Sequence, residues 1–285
     1  GPFRPLDGGV ALSRYYKLLD DISTHTQDQN LDSHDRFFAM AKLEFGRGRF
    51  RDETERKILE SMMSKDPHVQ KLIHQLFEPK DYFSLRDRMI GSGAIGGKAC
   101  GMLLARKIAE VCLPEFREHT EPHDSFYIGS DVFYTYIVSN NCWRARIEQR
   151  TPEGYFTKAE ELKQALLSGS FPENIREQFK AMLTYYGQSP IIVRSSSFLE
   201  DGFGNAFAGK YESVFCVNFG TLETRLKAFE DAVRQVYAST MDISALEYRL
   251  QRGLEKKDEQ MSILVQRVSG SWAGPYFLPG AAGVG

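Results

Sequence analysis

The chain has 285 residues, which is long enough for one large domain or two ordinary ones with a substantial apolar core. Its 36 Lys and Arg residues nearly balance its 38 Asp and Glu residues, so no overall basic charge indicates binding to nucleic acid or to an anionic membrane. No apolar run is as long as a membrane span, and the N-terminus lacks a secretory signal, so we expect a cytoplasmic protein without membrane or nucleic-acid partners.

The four cysteines do not follow the spacing of a disulfide framework or of a metal site. They are Cys100, Cys112, Cys142 and Cys216, and no two form a CxxC pair. His119 and His123 flank Pro122, which breaks the helix that would bring both imidazoles onto one face. We therefore predict small buried thiols in a reducing compartment and no metal site within the chain.

The first part of the chain is predicted to be helical. Residues 10–83 show almost no strand pattern, and apolar side chains recur there at helical spacing. Examples are Phe37, Ala41 and Phe45. Asp66 followed by Pro67 is typical of a helix start. We interpret residues 1–85 as a helical N-terminal extension, and no motif within it indicates a chemical function.

Strands and helices alternate from Arg88 onward. Apolar residues at helical spacing predict helices over residues 98–111, 131–137, 158–167, 172–186, 221–238 and 243–254. Short apolar runs predict strands over residues 125–128, 191–194, 211–217 and 262–268. Asp131 is interpreted as the cap of its helix. This pattern predicts an α+β fold for residues 86–285, which we take as the second domain.

A glycine-rich segment precedes the first of these helices. Residues 91–98, Gly-Ser-Gly-Ala-Ile-Gly-Gly-Lys, match the GxGxxG pattern, but residues 86–90 are a poor strand for a dinucleotide-binding fold. The segment also departs from a P-loop, because Ser92 replaces the first glycine and Ala99 replaces the magnesium-binding Ser or Thr. Two interpretations stay open: a glycine turn with a solvated lysine, or a helix N-terminus that binds an anion beside Lys98.

The most informative pattern begins at Ile191. Three β-branched residues lead into Arg194 and the serines at 195–197. A loop with glycines at 202, 204 and 209 follows, and a second strand resumes at Tyr211. A strand that delivers a basic residue and hydroxyls into a glycine-rich loop is typical of a segment that binds and covers a polyphosphate.

Each part of this pattern also has a purely structural interpretation. Arg194 could form a salt bridge with Glu200, Asp201 or Glu212, because a buried arginine needs an anionic partner. The serines could cap a turn, and the glycines could belong to an ordinary hairpin loop. Gln266, at the end of a later apolar strand, lies either beside an adenine or on the solvent side of that strand.

Taken together, these motifs resemble the nucleotide-binding domain of phosphoenolpyruvate synthase and pyruvate phosphate dikinase, which is of the ATP-grasp type. The resemblance lies in Gly96-Gly97-Lys98, Val193-Arg194-Ser195-Ser196, Glu200-Asp201, Phe207-Ala208-Gly209 and Val265-Gln266. Their order and spacing agree with the family from about Arg88 to the end of the chain. The resemblance implies an ATP-grasp-like nucleotide-binding domain over residues 86–285, preceded by the helical segment and incomplete at its C-terminus.

The resemblance implies catalytic roles for Lys98 and Arg194, which would bind the triphosphate. The implied cofactors are ATP and Mg²⁺, and the magnesium ligands are expected downstream of this chain. Phosphoryl transfer relies on positioning and charge neutralisation, so a lysine, an arginine and magnesium are the expected components.

The resemblance also implies nucleotide contacts from later residues. Gly209, Ser213 and Val214 would belong to the phosphate-covering loop and to the strand after it. Gln266 would stand near the adenine. At residues 197–199 the chain has Ser-Phe-Leu where the family often has Ala-Thr-Ala, which leaves the substrate subtype open.

In the family, ATP phosphorylates a histidine on a separate domain and yields AMP, and a further domain passes the phosphoryl group to pyruvate. None of the six histidines here lies in the Thr-Ser-His setting of that histidine, so we expect an inactive fragment of a longer dikinase-type phosphotransferase, homodimeric at full length. The alternatives are the same domain acting on another acceptor, an antibiotic or a glucan, or a catalytically inactive regulatory module. The presence of both Lys98 and Arg194 argues against the inactive module.

Overall fold

The structure, a computed structural model, describes residues 33–113, 115–199 and 209–281. The chain divides into two compact units, Gly1–Ile58 with Glu78–Asp87, and Leu59–Phe77 with Arg88–Gly285. The helical prediction for residues 10–32 lies outside the described residues. So do the motif residues Glu200, Asp201, Phe207 and Ala208.

The helices and strands are as follows in chain order. The α-helices are α1 (Ser33–Gly46), α2 (Asp52–Ile58), α3 (Pro67–Leu76), α4 (Pro79–Arg86), α5 (Gly97–Cys112), α6 (Phe116–His119), α7 (Ser130–Ser139), α8 (Trp143–Gln149), α9 (Gly154–Thr157), α10 (Ala159–Ser168), α11 (Glu173–Tyr186), α12 (Leu222–Ser239) and α13 (Ile243–Gln251), with a π-helical turn at Leu59–Met63. The strands are β1 (Met89–Ile90), β2 (Ser125–Ile128), β3 (Ile191–Ser197), β4 (Ser213–Cys216), β5 (Met261–Arg267), β6 (Ser271–Ala273) and β7 (Tyr276–Leu278). Among these residues, no helix is both long enough and apolar enough to cross a bilayer.

The first unit is helical and contains α1, α2 and α4. Phe38 and Tyr82 are buried in it, and the Tyr82 hydroxyl donates a hydrogen bond to Glu55 Oε1 at 2.8 Å. Lys42 Nζ lies 2.7 Å from Asp87 Oδ1, which connects α1 to the end of α4. The structure therefore confirms the helical character that apolar spacing predicted for the N-terminal part, within the described residues.

The second unit is built on a mixed five-stranded sheet. Its strand order is β1-β2-β5-β3-β4, with β1 parallel to β2 and every other pair antiparallel. The longest pairing joins β3 to β5, from Ile191 opposite Arg267 to Ser197 opposite Met261. Helices and a mixed sheet in one unit confirm the predicted α+β class.

Helices cover both faces of this sheet, and the two faces differ in chemistry. Because side chains alternate along a strand, Ile191 and Val193 of β3 point to one face, where they join the main hydrophobic core. Helices α7, α10, α11 and α12 supply most of the other apolar side chains of that core. Helix α5 packs on β3 from the other side. Arg194, which alternates with Val193, therefore lies on the face that α5 covers.

Several element boundaries agree closely with the sequence predictions, and one prediction is wrong. The strand at 125–128 is confirmed, and α3 starts as predicted, with Asp66 accepting hydrogen bonds from the backbone N–H groups of His68 and Val69. Asp131, however, is not the cap of α7. Gly129 holds the cap position, and the Asp131 carboxylate instead contacts the glycine-rich segment.

One prediction about the cysteines is also wrong. Cys100, Cys142 and Cys216 are buried, as expected for small thiols, but Cys112 is exposed. It is the last residue of α5, and its neighbours Val111 and Leu113 are exposed too. All four thiols are free.

Candidate functional site

Arg194 and Gln266 meet on the sheet face beneath α5. Ile192 stands opposite Gln266 and Arg194 opposite Leu264 in the β3–β5 register, so Arg194 and Gln266 are diagonal neighbours on one face. Arg194 Nη1 donates a hydrogen bond to Gln266 Oε1 at 3.2 Å, and both side chains are half-buried. Two residues 72 positions apart in the sequence are thereby in direct contact.

Helix α5 adds Lys98 to this face. Lys98 Nζ donates a hydrogen bond at 3.1 Å to the hydroxyl of Ser195, the residue next to Arg194. One helical turn later, Met102 Sδ lies 3.2 Å from Gln266 Nε2. Because residues four apart share one side of a helix, Lys98 and Met102 place a single stripe of α5 above the β3–β5 pair. The structure thus brings Arg194 and Gln266 into contact, and it places Lys98 against Ser195, the residue after Arg194.

Gly96 allows the start of α5 to approach β3 closely. Its φ is +83°, and a Cβ atom at this position would lie 1.5 Å from the backbone oxygen of Ser196. The Ser196 hydroxyl accepts a hydrogen bond from Ala99 N at 3.0 Å and donates one to the Ile95 carbonyl at 2.8 Å. The helix N-terminus that carries Lys98 is therefore held directly against the strand that carries Arg194.

The first half of the glycine-rich segment binds a carboxylate of the protein itself. Gly93 N donates to Asp131 Oδ1 at 2.7 Å, and Ala94 N donates to the Ser130 hydroxyl at 3.2 Å. A Cβ atom at Gly93 would come within 2.9 Å of Asp131 Oδ1, and one at Gly129 within 2.5 Å of the same oxygen. These glycines make room for Asp131, so this half of the segment is structural, and the second half, which contains Lys98, faces the site.

The remaining predicted residues lie on or before β4. Ser213 stands opposite Arg194 and is exposed. Val214 stands opposite Val193, and its side chain packs against the main core, so it points away from the Arg194 face. Gly209 lies in an exposed turn with a φ of +71°.

The salt bridge considered for Arg194 has three candidate partners, and the structure describes one of them, Glu212. In this part of the chain, Arg194 forms no ion pair with Glu212, and its hydrogen bond goes to the neutral amide of Gln266. Glu200 and Asp201, the other two candidate partners, lie outside the described residues. A guanidinium that is hydrogen-bonded to a neutral amide can exchange this acceptor for an anionic ligand. Hydrogen bonds between two charged groups are stronger than those to a neutral amide.

Sequence patterns did not identify the side chain that orients Gln266. The Ser125 hydroxyl lies 3.3 Å from Gln266 Nε2, across the β2–β5 pair. Gln266 therefore presents its oxygen to Arg194 and its nitrogen to Ser125. A single serine on a short strand carries no motif, and the only signal that could have found it is the register between β2 and β5.

A cavity of about 590 Å³ opens beside the start of α5. Its lining consists of Ser64, Lys65, Asp66, Val69, Gly97, Cys100, Gly101, Leu104, Phe198, Leu199, Lys257, Asp258 and Gln260. Lys65 and Lys257 are exposed, while Cys100 is buried. Small-molecule pockets span about 300–1,000 Å³, so there is room for a ligand next to Gly97, the residue before Lys98.

A known family matches the larger part of the chain, residues 92–285. The model of the family described as pyruvate phosphate dikinase, AMP/ATP-binding domain, matches residues 92–285, which is more than half of the chain. The matched region contains Lys98, Arg194 and Gln266, together with the whole of β3 and β5. This confirms the resemblance that the motifs indicated. The chain belongs to the pyruvate phosphate dikinase AMP/ATP-binding domain family.

Proposed function

We propose that this chain is the ATP-binding portion of a phosphoenolpyruvate synthase or pyruvate phosphate dikinase-like phosphotransferase. In this proposal ATP phosphorylates a histidine on a separate domain, and the phosphoryl group then passes to pyruvate. The observation that carries it is that two cations meet at neighbouring residues of β3: Arg194 lies on the strand, and Lys98 of α5 donates a hydrogen bond to the hydroxyl of Ser195, the next residue. Membership in an ATP- and AMP-binding family supports the same ligand.

Lys98 and Arg194 would neutralise the triphosphate charge. Lys98 is the second residue of a 16-residue helix, whose N-terminal N–H groups favour an anion nearby. Arg194 would exchange its bond to Gln266 for one to a phosphate oxygen, leaving the Gln266 oxygen near the base. Ser213, exposed opposite Arg194, and Gly209 would contact the phosphates, and Val214 would contribute only through its backbone.

Magnesium remains part of the proposal as the partner of ATP. Among the described residues, no group of three His, Cys, Asp or Glu side chains could hold a metal ion. The nearby Asp131 carboxylate already accepts the Gly93 N–H. These residues do not fit a magnesium site, so no step is assigned to the metal here, and its ligands are proposed to lie downstream.

Replacing each cation tests the site. We expect Lys98→Ala and Arg194→Ala, made in a chain extended past Gly285, each to raise the Kd for ATP about tenfold or more through loss of a charge-assisted hydrogen bond. Titration calorimetry measures the Kd, and thermal melting checks the fold. Unchanged ATP affinity in both variants would overturn the site, and unfolding of both would favour a structural role for the cations.

Two surface residues provide matched controls. Lys227, on α12, is exposed and lies on a helix of the opposite sheet face. The Arg144 side chain is 90% exposed and pairs with Glu148 within α8. We expect Lys227→Ala and Arg144→Ala to keep the ATP affinity of the unmodified protein. A comparable loss in these controls would mean that net charge, and not position, determines binding.

A further inference from the structure

Glu259 joins the two chain segments that flank residues 198–210. Its Oε1 accepts a hydrogen bond from the hydroxyl of Ser197, the last residue of β3. Its Oε2 accepts one from the hydroxyl of Tyr211, two residues before β4. All three residues are buried, and Glu259 is only 4% exposed. One carboxylate therefore links the end of β3 to the chain that leads into β4.

Two arginines hold Glu259 in place, one at its carboxylate and one at its backbone oxygen. Arg249 Nη1 lies 3.5 Å from Glu259 Oε2, and Arg249 Nη2 donates to the Thr240 carbonyl at 2.5 Å. Arg146 Nη2 donates to the backbone oxygen of Glu259 at 2.8 Å. A buried charge is tolerated when it is paired and its oxygens are hydrogen-bonded, and both conditions are met here. The position of the Glu259 side chain is thus set from several directions.

The carboxylate lies just beyond the residues of the proposed triphosphate site. Ser197 is two residues after Ser195, which accepts the Lys98 hydrogen bond, and Tyr211 is two residues before Ser213, which stands opposite Arg194. Beyond the last β3–β4 pair, Arg194 opposite Ser213, Ser195 N donates a long hydrogen bond of 3.4 Å to the Glu212 carbonyl. The Glu259 side chain adds a bridge at this point, next to the pairing of Ser197 with Met261 of β5.

We infer that Glu259 is a positioning residue for the triphosphate. By joining Ser197 to Tyr211 it would keep β3 and β4 at the spacing that places Arg194, and Lys98 through Ser195, around the β- and γ-phosphates. This inference rests on the proposed function. The proposed role differs from that of an ordinary buried ion pair. Loss of a purely structural group would lower the stability of the fold and would not change the affinities for ATP and AMP differently.

The test uses variants that remove one contact at a time. Tyr211→Phe keeps the ring and removes the hydroxyl, and Glu259→Gln keeps the shape and removes the charge. Tyr136→Phe is the matched control, because Tyr136 is also buried and its hydroxyl donates to the Leu166 carbonyl at 2.7 Å, on the core side of the sheet. The Kd values for ATP and for AMP are measured beside the melting temperature.

We expect Tyr211→Phe to raise the Kd for ATP about tenfold, as for loss of one hydrogen bond to a charged group, while the Kd for AMP changes much less. AMP lacks the phosphates that Arg194 and Lys98 are proposed to bind. Tyr136→Phe should lower the melting temperature and leave both Kd values unchanged. If Glu259→Gln does not fold, Tyr211→Phe and Ser197→Ala decide the question.

Two results would overturn the inference. One is a folded Tyr211→Phe protein with unmodified affinity for ATP, and the other is an equal loss of affinity for ATP and AMP. If Lys98→Ala and Arg194→Ala weaken ATP binding while Tyr211→Phe does not, only the positioning role fails. If the unmodified protein binds no ATP, the proposed function fails, and the positioning role fails with it.

Discussion

At the scale of single residues, Gly96 sets the distance between α5 and β3. Because its φ is +83° and a Cβ atom would meet the Ser196 oxygen at 1.5 Å, any side chain here would displace the backbone. We expect Gly96→Ala to lower the free energy of unfolding by about 2 kcal/mol or more, from the backbone conformation and the displaced helix together. Urea denaturation followed by circular dichroism measures the loss.

Gly101, on the same helix, is the control for that experiment. A Cβ atom there would meet nothing within 4 Å, and Gly101 lies in the helix interior. Gly101→Ala should raise the free energy of unfolding by about 0.5–1 kcal/mol, because alanine favours the helix. Equal destabilisation by both substitutions would mean that the close contact of Gly96 with Ser196 is not the cause of the loss.

Single residues also show where sequence reasoning reaches its limit. Gly93 contacts Asp131 over a separation of 38 residues, and Ser197 contacts Glu259 over a separation of 62. Asp131 at the start of a helix has the local features of a cap, so the sequence predicted that role. A carboxylate that serves a distant loop has no local pattern. Lys98, Arg194 and Gln266 could be proposed as site residues because a family motif surrounds each of them.

At the scale of elements, α3 begins with a cap that the sequence predicted. Asp66 Oδ1 accepts from His68 N at 2.8 Å and from Val69 N at 3.2 Å, ahead of Pro67 in the first turn. We expect Asp66→Ala to lower the free energy of unfolding by about 1 kcal/mol, because two N–H groups lose their acceptor. Asp66→Asn should keep most of the stability, since an amide oxygen can accept the same bonds. Chemical denaturation of the three proteins compares the values, and equal stability of the alanine variant would show that this cap contributes nothing.

Element predictions succeeded where the apolar pattern was long. Helix α11 was predicted over 172–186 and extends over Glu173–Tyr186, because its core residues recur through four turns. Helices α8 and α9 contain only 7 and 4 residues, which is too short for a period to be recognised, and neither was predicted. The hairpin of β6 and β7 lies in a segment rich in glycine and proline, and no strand was predicted there from the sequence.

At the scale of the whole molecule, the hydrophobic core and the candidate site lie on opposite faces of the sheet. One face carries the large apolar core, and the other carries Arg194 and Gln266 beneath α5, the helix that supplies Lys98. Substitutions of the polar face should therefore change ligand affinity more than the melting temperature, and substitutions of the core face the reverse. The predicted boundary between domains, near residue 85, remains a prediction.

The same distribution of burial determines which thiols react. Burial raises the pKa of Cys100 to about 12 and that of Cys216 to about 11, and it also raises the pKa of Cys142. The thiolate is the reactive form, so at pH 8 these three groups are both protonated and inaccessible, whereas Cys112 is exposed. We expect Ellman's reagent to modify one thiol rapidly in the native protein and all four in denaturant. In Cys112→Ser the rapid phase should vanish. A rapid phase that persists in this variant would mean that another thiol is accessible in solution, with Cys100, which lines the cavity beside α5, the first to examine.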